Sequence, residues 1–575
     1  MGFFMVGALH FAPAVHCIWQ NADRSTVVAP HEFTNKMSDP TTTPPKQPTA
    51  EDTVVRTLID RHARDRAGEV FALFEDGTQW TFAELKSQVV AGSAFLAEQG
   101  VAQDDIVAVW MPNGPAALRM MLAINYLGAV CAPLGLASKG GFLEHILNNS
   151  EARLMVVDSR LMGRLAEVQP RFLRTLVVAR TSGDATPAPD GFEIVEESPR
   201  TDATVSLPPL ARPIQPWDNQ FVLYTSGTTG PSKGVLTSYM QRYAHAFSAR
   251  HITAADRRLI HAPLSHTGGI GNIYGMLARG SSIALVESFK TDRFWSDVRR
   301  FGITTTSLLG VTLPYLLQQP ESEQDRSHTL KTIQIAPVDA SALAFSKRFG
   351  VDVFGVYNMT EISAPFHGEP NPQVRGLCGR PRPGVEARIV DENDIPLEDG
   401  HVGELVIRSA QPWTMMNGYL REPQATAEVW RNGWFHTGDA FRRTADGEFF
   451  FADRLKDAVR RRGENISSFE VESEIARHPQ VREVAVVAAK SELSEDEVLA
   501  VVSPVAGGAI DPEALIDFLR PRLPHFMIPR YIRVMEALPR TATQKIVKHQ
   551  LRAEGVTADT WDREKAGVIV KRDRL

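Results

Sequence analysis

From about residue 51 onward, short apolar runs alternate with segments whose apolar residues recur at helical spacing. Asp52–Arg64 predicts a helix, Ile106–Met111 a buried strand, Pro115–Leu127 a second helix and Leu154–Asp158 another strand. Thr175–Val178, Ile283–Val286 and Val351–Val356 are similar strand-like runs. Strands rich in β-branched residues that alternate with helices imply an α/β domain with largely parallel sheets. Residues 180–216 are rich in Pro, Ala and Asp and predict a long surface connection. A second region opens near Asp453 with a charged stretch, Asp453–Arg462. A helix over Ser468–His478, strands over Val481–Ala488 and Val498–Val502, and a helix over Pro512–Leu523 follow. Arg530–Met535 and a basic segment, Arg540–Lys548, complete a small α+β domain of about 120 residues. The last twenty or so residues are polar and are expected to be loosely held.

At 575 residues the chain is too long for one ordinary core, so at least two domains are expected. The hydrophobic share of 43% and charged share of 23% are those of a soluble globular protein. A formal charge of −6 argues against a nucleic-acid binder. No run reads as an integral membrane segment. Cys17, Cys131 and Cys378 match no zinc spacing, and so few cysteines suit a reducing cytoplasm. Residues 1–20 are apolar, but no Lys or Arg precedes the apolar part, and His10 and His16 interrupt it, which does not suit a secretory signal. Residues 37–50 are rich in Pro and Thr and read as disordered. Translation is expected to start at Met37, which makes residues 1–50 an extension, 51–452 the large domain and 453–575 the small one.

The segment 224–234 reads Tyr-Thr-Ser-Gly-Thr-Thr-Gly-Pro-Ser-Lys-Gly and follows the apolar run Phe221, Val222, Leu223. Its glycines, among them Gly227 and Gly230, permit tight turns. The hydroxyls of Thr225, Ser226, Thr228 and Thr229, a run of backbone N–H groups and Lys233 can then face one anion, most naturally a nucleotide phosphate. It is not the common P-loop, because Lys233 is followed by Gly234.

Five other segments are weaker when taken alone. Tyr357-Asn-Met-Thr-Glu361 follows a strand, at the edge where α/β sheets bind ligands. There Tyr357 could stack on a base, Thr360 could donate to phosphate, and Glu361 could hold Mg²⁺, which takes one or two carboxylates. Gly433-Trp-Phe-His-Thr-Gly-Asp439 could present Asp439 to ribose hydroxyls, or could be a hairpin turn with an aromatic anchor. Asp453–Ser467 alone reads as a solvated basic face. Lys545, in the Thr-rich segment 539–548, could neutralise a phosphate or carboxylate, although exposed lysines are common. His266, within Pro-Leu-Ser-His-Thr-Gly-Gly, could line a cleft.

Together and in this order, these segments resemble the adenylate-forming superfamily of acyl-CoA synthetases, peptide-synthetase adenylation domains and beetle luciferases. The resemblance runs from about residue 55 to the C-terminus, and residues 71–85 and 110–134 are also similar to the superfamily's N-terminal part. It implies a large N-terminal domain, a small mobile C-terminal domain and an active site between them. It also implies an ATP-dependent acyl-CoA ligase that activates a carboxylic acid through acyl-AMP, with ATP, Mg²⁺ and coenzyme A. Carried over by motif, Thr225–Lys233 would hold the β,γ-phosphates. Tyr357 would stack on adenine, Thr360 would contact the α-phosphate and Glu361 would ligate the metal. Asp439 and Arg454 would bind the ribose. Lys456 would be the hinge, Gly463 would let pantetheine pass, Lys545 would be the adenylation lysine and His266 a gate beside the acyl pocket. Asn358 stands where the family often has Gly, and Asn tolerates a left-handed backbone. Gln544 stands before the catalytic lysine, where Gly is usual.

Arg461–Ser467 and the final segment are similar to the carnitine/crotonobetaine-CoA ligase-like group. By the same analogy the acyl pocket lies around His266–Ile270, Leu309–Val311, Ile335–Pro337 and Met359–Ser363. These stretches are mostly small and aliphatic, with no Arg or Lys for a second carboxylate and no aromatic cage for a quaternary ammonium. A medium-sized apolar acid is the expectation. Two alternatives are an adenylation enzyme that loads a carrier protein and a non-catalytic nucleotide-binding protein.

Overall fold

The computed structural model describes residues 47–179, 189–197, 207–225, 232–309, 312–336, 338, 340–374, 376–454, 457, 459–461, 464–466, 468–490, 496–523, 525–541 and 545–570. The proposed extension, including Met37, lies outside them apart from its last four residues. The fold described is that of Pro48–Leu575.

Two large sheets form the body of the N-terminal part. In the first, Asp352–Gly355, Thr332–Ala336, Thr305–Leu309, Arg257–Ile260, Ser282–Leu285 and Val70–Phe74 pair in parallel in that order, and Gln79–Thr81 adds an antiparallel edge. In the second, Asn219–Thr225, Val130–Pro133, Ile106–Trp110, Leu154–Asp158, Thr175–Ala179 and Glu193–Glu196 run parallel. Lys233–Ser238 and Gly418–Tyr419 close its other edge antiparallel. Buried helices such as Pro115–Tyr126 pack between strands, as expected where βα units cover a parallel sheet. The third sheet, spanning Phe366–Arg454, is antiparallel throughout. The sequence reading did not mark its strands, although Leu405–Ile407 and Phe449–Phe451 are apolar runs within it.

Most expected elements are present with shifted ends. The first helix divides into Ala50–Thr53 and Val55–Asp65, because Val54 is extended. The helix Pro512–Leu519 stops short of the expected Leu523: Arg520 still has helical dihedrals, but Pro521 has no N–H to extend the hydrogen-bond ladder. The connection expected over 180–216 contains one further edge strand, Glu193–Glu196; residues 180–188 and 198–206 lie outside the described set.

The smaller C-terminal part is built on Val481–Lys490, Asp496–Pro504, Tyr531–Val534 and Trp561–Asp562, with its own apolar cluster around Val486, Val502 and Leu515. Two expectations change here. The stretch from Asp453 is not simply a solvated face: Asp453 and Arg461 are buried, and Arg461 pairs with Glu497 at 2.6 Å. The chain end is tied in up to Val570, by the strand Trp561–Asp562, the contacts of Asp562 with Arg530 and the packing of Val568 and Val570 on the apolar cluster. Among the described residues no helix is long and apolar enough to cross a membrane.

Candidate active site

The strand Asn219–Thr225 turns back as Lys233–Ser238, with Thr225 opposite Lys233 and Tyr224 opposite Gly234. Ser226, Gly227, Thr228, Thr229 and Gly230 lie outside the described residues. The base is well held: the Ser232 hydroxyl donates to the Thr225 carbonyl, and the Tyr224 hydroxyl donates to Asn149 Oδ1 at 2.8 Å. Gly234 is required by close approach, since a Cβ there would lie 2.8 Å from Val222 Cγ1.

Lys233 Nζ sits 5.0 Å from the centroid of the Tyr419 ring, and the Tyr419 hydroxyl donates to Glu361 Oε1 at 3.0 Å. Glu361 is buried, and burial followed by the Glu361 charge raises the Tyr419 phenol well above its usual range. An ammonium, an aromatic ring and a carboxylate are thus linked at the mouth of the hairpin. The segment 357–361 leaves the strand Asp352–Gly355 at its C-terminal end, as expected.

Gln241 and Arg242 fasten that segment from behind. Gln241 Nε2 donates to the carbonyls of Thr360 at 2.8 Å and Glu361 at 3.0 Å, and Arg242 Nη2 reaches the Thr360 carbonyl at 3.5 Å. Both stand in the first turn of the helix Tyr239–Ser248, which Ser238 caps by accepting the Gln241 N–H at 3.0 Å. The left-handed residue in this region is Ser363, at φ 64°, not Asn358.

The Tyr357 hydroxyl donates to Asp439 Oδ2 at 2.7 Å, and its ring meets Phe441 edge-on at 4.8 Å. Burial, and then the Asp439 charge, raise the phenol strongly. Asp439 comes after a hairpin turn at Asn432–Gly433, which joins Trp430–Arg431 to Trp434–Arg443 and sets Trp430 opposite Phe435. Asp439 itself lies within the strand Trp434–Arg443, directly opposite Arg454, and Gly438 takes φ 70° while its N–H donates to Glu404 Oε1 at 2.9 Å.

His266 precedes the turn Thr267–Gly271, and its Nδ1 accepts the Gly268 N–H at 3.0 Å, which leaves the ring proton on Nε2. Burial, the Lys545 ammonium and the Arg242 guanidinium hold its pKa down at about 4. Lys545, in the small C-terminal part, thus acts on His266 through its charge. Its own backbone is fixed by Thr541, whose N–H donates to the Lys545 carbonyl at 2.8 Å and whose Oγ1 accepts the Lys545 N–H at 3.1 Å. Lys456, Gly463 and Gln544 lie outside the described residues.

Three segments thus meet around residues 357–361: the hairpin base through Tyr419, the strand of Asp439, and the helix of Gln241 and Arg242. Arg242 Nη1 also donates to Thr267 Oγ1 beside His266, which in turn feels Lys545. The sequence reading missed Tyr419, Gln241 and Arg242. Gln241 and Arg242 belong to four consecutive buried helix positions, 239–242, and so carry no amphipathic signature.

The model of the family described as AMP-binding enzyme matches residues 59–420, and that of the AMP-binding enzyme C-terminal domain matches 470–545. A crotonobetaine/carnitine–CoA ligase of Salmonella arizonae is 28% identical, covering 86% of this chain and 99% of that protein. ATP-bound MatB from Rhodopseudomonas palustris is 25% identical with a TM-score of 0.75, over 87% of this chain and 98% of that one. The amide bond synthetase McbA from Marinactinospora thermotolerans is 26% identical with a TM-score of 0.72, over 87% and 99%.

Proposed function

This chain belongs to the AMP-binding enzyme family and is an AMP-forming acid–CoA ligase, and from that premise we propose how its residues divide the work. The substrate carboxylate attacks the α-phosphorus of ATP, the bond to the β-phosphate oxygen breaks, and pyrophosphate leaves. The thiol of coenzyme A then attacks the acyl carbon, AMP leaves with the bonding pair, and the thiol proton passes to solvent.

Thr225, Ser226, Gly227, Thr228, Thr229, Gly230 and Lys233 hold the β,γ-phosphates. Tyr357 packs against adenine, and Asp439 and Arg454 take the ribose hydroxyls. Thr360 contacts the α-phosphate. Lys545 screens the repulsion between carboxylate and triphosphate and stabilises charge as pyrophosphate departs. His266, neutral at its depressed pKa, gates the acyl pocket without adding charge. The large domain spans 51–452 and the small one 453–575. The small domain turns about Lys456, so that Lys545 serves the first step and Gly463 admits pantetheine for the second. The donor chemistry at Glu361 suits Mg²⁺, a hard cation that takes one or two carboxylates plus phosphate oxygens. When bound, the ion would neutralise phosphate charge. Buried free thiols at Cys131 and Cys378 fit a reducing, cytoplasmic setting.

The observation that carries this reading is the convergence on Thr360 and Glu361. The carbonyls of both residues are held by one Gln241 amide, and Tyr419 ties the Glu361 carboxylate to the lysine of the phosphate hairpin. The test is pyrophosphate release over a panel of fatty, aryl, steroid side-chain, dicarboxylic and betaine acids, each with and without coenzyme A. Turnover that requires coenzyme A supports the ligase. Release indifferent to coenzyme A would instead indicate another acceptor, such as a carrier protein or an amine.

A further inference from the structure

Inward from His266 stand buried cations that no carboxylate among the described residues pairs with. Arg242 is 0% and Arg258 2% exposed. Arg242 donates to Thr267 Oγ1 and the Thr360 carbonyl. Arg258 donates to Ser307 Oγ and, at 2.6 Å, to Gln334 Oε1. All four acceptors are neutral. The Nε atoms of both arginines and Nδ1 of His245 have no acceptor among the described residues. Nor does either arginine form an ion pair with a described carboxylate. Burial lowers Arg242 to about 10 and Arg258 to about 9, so both remain charged at neutral pH. His245 is driven down to about 3 by burial and by the charges of Arg242, Arg258, Arg382 and Arg279. Buried charge is normally paired, because an isolated ion loses its hydration with nothing in return.

These groups form a continuous line. Gly271 lies against both Arg242 and His245. Asn272 donates to the Gly268 carbonyl at 2.6 Å and approaches Ser307 Oγ at 3.5 Å. Ser307 then meets Arg258. Ser307 and Gln334 precede Leu309 and Ala336, which end the two strands expected to border the acyl group.

We propose that the acid is a dicarboxylate: one carboxylate reacts with ATP near Lys545, and the second is received by the Arg258 guanidinium at the inner end of this line. The proposal rests on the acid–CoA ligase reading and replaces the sequence-based expectation of an apolar acid. A guanidinium presents its N–H groups as a planar fork matched to a carboxylate. The same uncompensated positive charge opposes a quaternary ammonium, so betaine acids should be poor substrates.

The experiment measures coenzyme A-dependent AMP formation by the full chain with a homologous series of straight-chain dicarboxylates. Each is compared with its monomethyl ester and with the fatty acid of equal length. The best diacid should exceed its ester in kcat/KM by about 10²-fold or more, because a buried donor is left unpaired by the ester. Arg258→Gln should collapse that ratio toward unity. The same diacid should raise the melting temperature of the wild-type protein but not of the variant. If Arg258→Gln does not fold, the ester comparison in the wild type decides alone. Esters or fatty acids turned over as well as the diacids would overturn the proposal while leaving the ligase intact, as would a folded variant with an unchanged ratio. No coenzyme A-dependent AMP with any acid, betaines and aryl acids included, would overturn both.

Discussion

Tyr419 donates its hydroxyl to Glu361 at 3.0 Å, and the same ring lies under the ammonium of Lys233. One phenol therefore orients the carboxylate proposed to hold Mg²⁺ and braces the lysine of the phosphate hairpin. Tyr419→Phe keeps the ring and removes the donor. A hydrogen bond to a charged group contributes about 1.5–3 kcal/mol, so the rate of acyl-AMP formation should fall roughly tenfold or more. The Mg²⁺ concentration giving half-maximal rate should rise, which a metal titration would read. An unaltered titration would remove Tyr419 from the site.

Tyr357→Phe breaks the bond to Asp439 while keeping the aromatic face. If that bond aims Asp439 at the ribose, the KM for ATP should rise about tenfold, with kcat changed far less. Steady-state kinetics at saturating acid would separate the two.

Lys545→Ala should abolish formation of acyl-AMP and leave thioester formation from supplied acyl-AMP nearly intact. Gly463→Leu should do the reverse. Equal loss of both half-reactions in either variant would contradict the division of labour between the two residues. Lys545→Ala should also raise the His266 pKa, since the lysine charge is one of the causes that lower it, and the His266 ring resonances would report this by NMR.

Acid should destabilise the fold early. His245, His251, His261 and His266 are held at about 3 to 4, chiefly by burial, against an ordinary 6.5. Their unfolded forms take up protons first. The stability they contribute is complete above pH 6.5 and is lost as pH falls toward 4. Each histidine adds a slope of about 1.4 kcal/mol per pH unit within that window. His251→Gln, at a ring stacked 3.8 Å from Phe354, should flatten the profile of melting temperature against pH. A wild-type profile flat from pH 7 to 5 would show that these rings ionise freely in the folded state.

The sequence alone determined those features whose cause is local. Runs of β-branched residues marked Ile106–Trp110 and Leu154–Asp158 as parallel strands, and the segment ending at Glu361 lay where a strand's C-terminal end had been expected. The order of the motifs along the chain was enough for the family resemblance. The tertiary structure decided which distant residues meet. Tyr419 reaches Glu361 across 58 residues and Gln241 reaches Thr360 across 119, each through the register of separate sheets and helices. Arg258 looks in the sequence like one of two arginines opening a strand. Only the neighbouring strands, which offer it Ser307 and Gln334 but no carboxylate among the described residues, make it a buried unpaired charge. Periodicity records which face of an element is buried, but it does not record what that face is buried against.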